Sequence, residues 1–397
     1  MTYSTRAVLA DESLRSVRPR FTLSPRLAMH ERLPAFVQPF LTWLTAQPAP
    51  GEPIAKRSPL RFVVLASLQT VLGAALTVAG LHLWLPLIAI GLLITSSGLG
   101  LFQVVVFHHC SHGTVFKRPE AGRRDLNIVV GKLISAVLLF KHFDHYKREH
   151  MLHHSSNKLL TEEDEFADFV FNTCGLRAGL PHAELRRRVL LSTISPVFHG
   201  RFLVRRVKAA WRSHDRAHNL IGIGSWSALA LAAALAGQVW AMVLAWVVPV
   251  TWLLQVGTIG RILCEHSFPD PDLIAARGKE FACHATSGVF PGVMPPDAPA
   301  SSLHGAALWL AWWADMLVVQ LLVRVFVLVG DAPCHDYHHR RPARKDWVSY
   351  IQARQHDREA GSSLACPTVD YSETWGLFRA IDRSLASLSR LPPGTVL

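Results

Sequence analysis

Four long runs without a single charged residue dominate this sequence, at 62–81, 85–107, 219–236 and 239–260. Each has about 20 residues, the length a helix needs to cross ~30 Å of hydrocarbon. Composition agrees. Half of the residues are hydrophobic and only 18% are charged, and the mean hydropathy is +0.23. A soluble two-domain enzyme is excluded, since its apolar residues would be spread along amphipathic elements rather than collected in unbroken runs. No fixed period or low-complexity tract supports a collagen-like, coiled-coil or disordered chain. The expected fold class is an all-α integral membrane protein.

The runs pair off. His82, Leu83 and Trp84 separate the first from the second, and Gly237 and Gln238 separate the third from the fourth. Such short links imply two helical hairpins, each entering and leaving on one side, four transmembrane helices in all. Charge assigns the sides. Arg15, Arg18, Arg20, Arg26 and Lys56 precede the first run, Lys117, Arg118, Arg123 and Arg124 follow the second, and a basic loop from Arg186 to Arg216 precedes the third. Neither short turn has Lys or Arg, so the positive-inside rule puts the tail and the large loops in the cytoplasm. The resulting layout is a cytoplasmic N-terminal tail (1–61), a membrane domain (62–350) and a C-terminal cytoplasmic segment (351–397). The tail has no compact apolar core of a secretory signal. The formal charge of +12 suits anionic headgroups or an acidic protein partner. The six cysteines show no C-x-x-C pair and no framework spacing, so reduced thiols are expected.

Two further apolar runs fit a span poorly. Residues 128–140 are too few and include Lys132; 305–330 are numerous enough but include Asp315 and Arg324. Charge in hydrocarbon is costly, so the second run is expected to be interfacial, re-entrant or packed on protein.

Histidine is abundant, at 21 residues, and clusters at three places. His108 and His112 stand four apart directly after the second run. His150, His153 and His154 form an H-x-x-H-H box, and His335, His338 and His339 form another. On a helix such spacings bring imidazoles to one face, and imidazole is the commonest neutral metal ligand. His266 lies just past the fourth run, so both hairpins deliver a histidine to the same cytoplasmic face. These nine residues are too many for one tetrahedral zinc. They suit two ions of higher coordination with positions left open; iron, zinc, copper and nickel all accept imidazole. All the boxes must then meet at one depth, so neither 128–140 nor 305–330 can make a single crossing. His142 and His145 are expected behind the site or at the surface rather than as ligands, His109 is a poorer candidate than its neighbour His108, and His284 and His304 are weaker candidates. His82, His199, His214, His218 and His356 read as polar residues near headgroups. The acidic run 162–165 reads as a solvated loop, or else as support for the site or a docking point for a partner.

With its three boxes, His108–His112, His150–His154 and His335–His339, set around two hairpins, the sequence resembles the membrane fatty-acid desaturase superfamily, which also holds membrane hydroxylases and carotenoid ketolases. The resemblance extends in pattern from about residue 62 to 350. It implies a non-haem di-iron centre with His108, His112, His150, His153, His154, His266, His335, His338 and His339 as metal ligands, dioxygen as co-substrate and an external electron supply. It implies an acyl desaturase acting on an acyl lipid, acyl-CoA or acyl carrier protein, set among membrane lipids of the bacterial inner membrane with its active site on the cytoplasmic face. No dinucleotide, iron–sulfur or haem signature is present, so electrons are expected from a ferredoxin-like donor or another protein, and no nucleic-acid partner is expected. Trp226, Trp246 and Trp252 read as lipid-facing or interfacial packing, with the lining of an acyl channel as the alternative. A lipid or carotenoid hydroxylase or ketolase is the alternative enzyme. A metal transporter is the alternative of another class, against which stands the placing of all nine histidines outside the four runs.

Overall fold

The computed structural model describes residues 24–54, 57–361, 366 and 369–395. Arg15, Arg18, Arg20 and Lys56 of the basic tail, and the last two residues of the C-terminal segment, lie outside the described residues. The helices that position the site are α1 (Leu60–His82), α2 (Pro86–Ser111), α3 (Leu126–Val137), α4 (Phe143–His153), α5 (Pro196–Trp211), α6 (Arg216–Leu235), α7 (Val239–Glu265), α8 (Leu303–Val327) and α9 (His335–Arg340). The only named strands among the described residues, Gly288–Phe290 and Glu373–Trp375, pair in parallel with Gly288 opposite Glu373.

Both hairpins form where the apolar runs place them. α1 and α2 approach closely because small residues face each other. A side chain at Gly73 would strike Thr95 and Gly91, and one at Gly91 would strike Thr77 and Gly73. Without water to expel, helices in lipid gain most from such close backbone packing. α2 and α7 are not plain α-helices. α2 has a π-helical stretch at Phe102–Phe107, immediately before His108, and α7 has two, Val243–Val247 and Pro249–Leu253. Pro249 has no N–H to give to an i−4 carbonyl, and the wider turn absorbs that loss.

Five helices are long and apolar enough to cross a membrane, the fifth being α8. This is the run expected to be interfacial, re-entrant or packed on protein, and it forms an unbroken 25-residue helix in spite of its two charges. Both are satisfied by protein. Arg324 donates to the carbonyl of Trp43 (2.9 Å) and to Tyr350, and Asp315 accepts from Gln320 (3.0 Å). The chain before α8 runs back along it. Gly292 donates to Gln320, Trp312 to the Val293 carbonyl and Trp309 to the Ala298 carbonyl. Residues 292–302 thus lead outward and α8 returns, so both ends of the excursion lie beside the same elements. α3 is a 12-residue helix, about 18 Å long and too short to span. Its Lys132 pairs with Asp144 (2.9 Å) and Asp215 (3.1 Å).

The N-terminal segment docks as well. Helices Pro25–Arg32 and Gln38–Thr45 bury Met29, Leu41 and Leu44 against Trp312 and Met316 of α8. One expectation is corrected. Cys283, on the short helix Gly278–Ala285, and Cys366 form a disulfide with Cα atoms 6.7 Å apart, while Cys110, Cys174, Cys264 and Cys334 are free and buried. Spacing along the chain has no sign of this pair, because only the tertiary fold lays the C-terminal loop on that helix.

Candidate metal centre

All nine histidines converge at the cap side of the two hairpins, in two groups. His108, His112, His150, His154 and His338 form the first; His153, His266, His335 and His339 form the second; within each, the ring nitrogens lie within 4.8 Å of one another. In the first group, Nε2 of His108 is 2.8 Å from Nε2 of His338, and Nε2 of His150 is 3.0 Å from those of His112 and His154. In the second, Nε2 of His335 is 3.1 Å from that of His266 and 3.0 Å from that of His339.

Helix geometry explains the partition. At about 100° per residue, positions i and i+4 lie close together while i+3 lies on the other side of i. Each H-x-x-H-H box therefore sends its outer pair one way and its middle histidine the other. His150 and His154 join the first group and His153 the second; His335 and His339 join the second and His338 the first. His108 and His112 are another such pair, whereas α7 supplies His266 alone.

The nitrogens facing inward are lone-pair donors. The Nδ1–H of His108 donates to the carbonyl of Val104 at 3.0 Å, and His153 Nδ1 sits between the Asp164 oxygens at 2.9 and 3.0 Å. Each ring so held turns its bare Nε2 toward its neighbours. Protons cannot easily fill the gap. Burial holds His150, His154, His266, His335, His338 and His339 well below the usual imidazole range and brings His112 down to about 3, with the neighbouring imidazoles adding to it. His153 differs. Burial lowers it, but the Asp164 charge and hydrogen bond outweigh burial and raise it. Buried lone pairs aimed at two points, with little tendency to protonate, fit a site for cations that coordinate nitrogen.

Several supporting residues were not legible in the sequence. Asp164 belongs to the run read as a solvated loop or as support for the site, and for this residue the second reading holds. It is buried, accepts from the amides of Leu160 (2.7 Å) and Phe166 (2.9 Å), and so presents a fixed carboxylate to His153. Glu165 pairs with Lys141 (2.8 Å), while Glu162 and Glu163 are exposed. Asp331 receives His109 Nε2 at 2.7 Å, and the His109 ring stacks on Trp347 at 3.7 Å. His109 is thus a buried neighbour of the first group and, with Asp331 and His338, closes a third potential ligand set. Asp336 within the third box holds Arg354 (2.8 Å), which also binds Glu373 (2.9 Å), tying α9 to the C-terminal segment. An acidic residue four places before the third box, and the third acid of the 162–165 run, were the available signals.

Other expectations move. His199 and His218 are buried, with His218 on Ser135 (3.0 Å) and His199 on Gln255 (3.0 Å), so they are not headgroup residues, and His142 is buried beside His218. They lie outside both groups. Trp226 donates to the Val137 carbonyl (2.8 Å) and Trp252 is half-exposed; neither they nor Trp246 line the cavity beside the histidines. That cavity, about 330 Å³, is bounded by His108, His150, His153, His335 and His338 at one end and by α5, α7, Phe107, Phe140, Phe166 and Phe169 elsewhere.

Comparison with known proteins agrees with this geometry. A search of individually curated proteins finds no match. The family model described as Fatty acid desaturase matches residues 82–290, just over half of the chain, taking in the first two boxes and His266. The converging histidines, the paired hairpins and that match together place the chain in the fatty acid desaturase family.

Proposed function

We propose that this chain is a dioxygen-dependent di-iron acyl desaturase, with His108, His112, His150, His154 and His338 holding one iron and His153, His266, His335 and His339 the other. The division of the nine rings into two groups carries this reading, and the family match supports an oxidoreductase of desaturase or hydroxylase type. Two irons there would supply the activation of dioxygen. The protein supplies the rest. Asp164 and the Val104 carbonyl orient their imidazoles, and the buried apolar wall of Phe107, Phe140 and Phe166 excludes water from the C–H bond to be oxidised. Positioning decides whether a second hydrogen is lost or oxygen is returned, since ~1 Å of displacement can change a rate about a hundredfold.

The substrate is an acyl lipid or carrier-bound acyl chain, the active site faces the cytoplasm of a bacterial inner membrane, and electrons come from a separate donor such as a ferredoxin-like protein. The exposed basic side chains Arg187 and Arg201 offer such a donor a surface. The test is mass spectrometry of products formed with labelled dioxygen. An alkene two hydrogens lighter and free of label supports desaturation. A product one oxygen heavier and carrying label makes the hydroxylase reading correct instead.

A further inference from the structure

Cys283 and Cys366 stand at a joint between two elements that carry metal-ligating histidines. Cys283 lies on the short helix Gly278–Ala285, which leads straight into Thr286. Thr286 forms a bridge with His266, and Ser267 donates to the Ala285 carbonyl at 2.9 Å. Just beyond, Gly288 donates to the Ser372 carbonyl at 3.0 Å, and the strand Gly288–Phe290 pairs with Glu373–Trp375. The same C-terminal segment reaches the third box. Arg340, next to His339, donates to the carbonyls of Val369 (2.8 Å) and Asp370 (3.0 Å). Asp336, next to His335, is joined to Glu373 through Arg354. Three of the four rings of the second group, His266, His335 and His339, thus come from elements docked on residues 369–375, whereas in the first group only His338 does.

Cys366 pins that segment. Its disulfide to Cys283 joins residues 83 apart in sequence and sets the start of the segment on the helix that leads to Thr286. A covalent link across so long a loop removes chain freedom that would let the two elements part. Both cysteines are buried together with Val369, but the surface is close. His284 and Lys279 are exposed, and Cys366 Sγ lies 3.9 Å from the Lys279 carbonyl. Disulfides are uncommon in a cytosol, where dithiol systems keep thiols reduced, and those that form there are usually catalytic or redox-sensing.

We propose that Cys283–Cys366 is a thiol–disulfide exchange site, and that its oxidised form keeps His266, His335 and His339 set for the second metal. The co-reactant is a cytoplasmic dithiol. A thiolate of the dithiol attacks one sulfur and forms a mixed disulfide, and its second thiol then closes on the first. The dithiol leaves as a disulfide; its two electrons and two protons become the thiols of Cys283 and Cys366. Reduction leaves the segment held by hydrogen bonds and the Arg354 ion pairs alone, and the second group holds its metal less well. The first group, with four of its five rings carried by the chain at α2 and α4, retains its metal. The proposal rests on the reading of two metal-binding groups in a cytoplasmic cap.

The test is a metal titration of the full-length protein in detergent, treated with oxidised glutathione or with dithiothreitol, freed of the reagent and titrated anaerobically with ferrous iron alone. Maleimide labelling in denaturant should count four thiols after oxidation and six after reduction. Oxidised wild type should bind two irons per chain. Reduced wild type and Cys283→Ser should bind one of them as tightly and the other about tenfold more weakly, the lower end of what a ligand's lost support costs. His266→Ala, which breaks the second group, should retain one iron with an affinity that reduction leaves unchanged. Six thiols after oxidation overturn the proposal. So does a reduced wild type that binds both irons as the oxidised protein does, whether or not Cys283→Ser folds, and so does a loss shared equally by the two sites. Oxidised wild type that binds no iron defeats the metal reading together with the proposal, whereas two irons bound alike in both states defeat the proposal alone.

Discussion

A single carboxylate shows how a buried histidine of these groups is aimed at its neighbours. Asp164 is fixed by two backbone amides and aims His153 by its Nδ1. Removing such a partner typically weakens metal binding by about 10–100-fold. Asp164→Asn, which retains an acceptor oxygen but not the charge, is expected to show that loss in a metal titration; unchanged affinity would mean that the carboxylate does not orient the ring. His153→Ala and His338→Ala should each abolish turnover and lower bound iron, while His214→Ala, at an exposed position, should do neither. The pH dependence follows from the buried rings. Seven of them, at 112, 150, 154, 266, 335, 338 and 339, have lowered values. Unfolded, they take up protons near pH 6.5, so below that pH the unfolded chain binds more protons and stability falls. His153 runs the other way, its raised value favouring the fold at low pH, but it is one ring against seven. The metal-free protein should therefore melt at lower temperature at pH 5.5 than at pH 7.5, and the loaded protein should release metal over the same range. A flat melting profile would contradict the buried neutral rings.

At the scale of elements, the hairpins were legible because apolar length is a one-dimensional property, whereas their contacts were not. Gly73 and Gly91 look unremarkable in sequence, yet each faces the other helix without room for a side chain. Gly91→Leu should destabilise the α1–α2 pair by about 1–3 kcal/mol, as overpacking does, and lower the melting temperature in detergent. Gly224 of α6 has open space around it, so Gly224→Ala should be neutral or slightly stabilising. Equal effects of the two would show that the hairpin is not held by close approach. α8 was the harder element. Its charges argued against a span, but Trp43, Tyr350 and Gln320 supply partners that no local pattern announces.

For the whole molecule, the expectation concerns sides. Ligands from four segments can share a site only if those segments end on one face. Single reporter cysteines near residues 120, 160, 270 and 345 should all be labelled from the cytoplasmic face, and those at 83 and 237 from the opposite face. Opposite labelling of 160 and 345 would be incompatible with one metal centre. The out-and-back course of 292–327 is what lets a helix long enough to span return the third box to the first two.

By itself the sequence determined what depends on period and composition: the two hairpins, the faces that the boxes present, and the nine rings that meet. Those follow from chain length in hydrocarbon and from the angle between residues on a helix, which neighbours along the chain settle between them. Only the tertiary structure decided which rings share a group, that Asp164 and Asp331 stand behind them, and that Cys283 meets Cys366. Each of these joins residues far apart in sequence, and such pairings are set by packing, to which local pattern is blind.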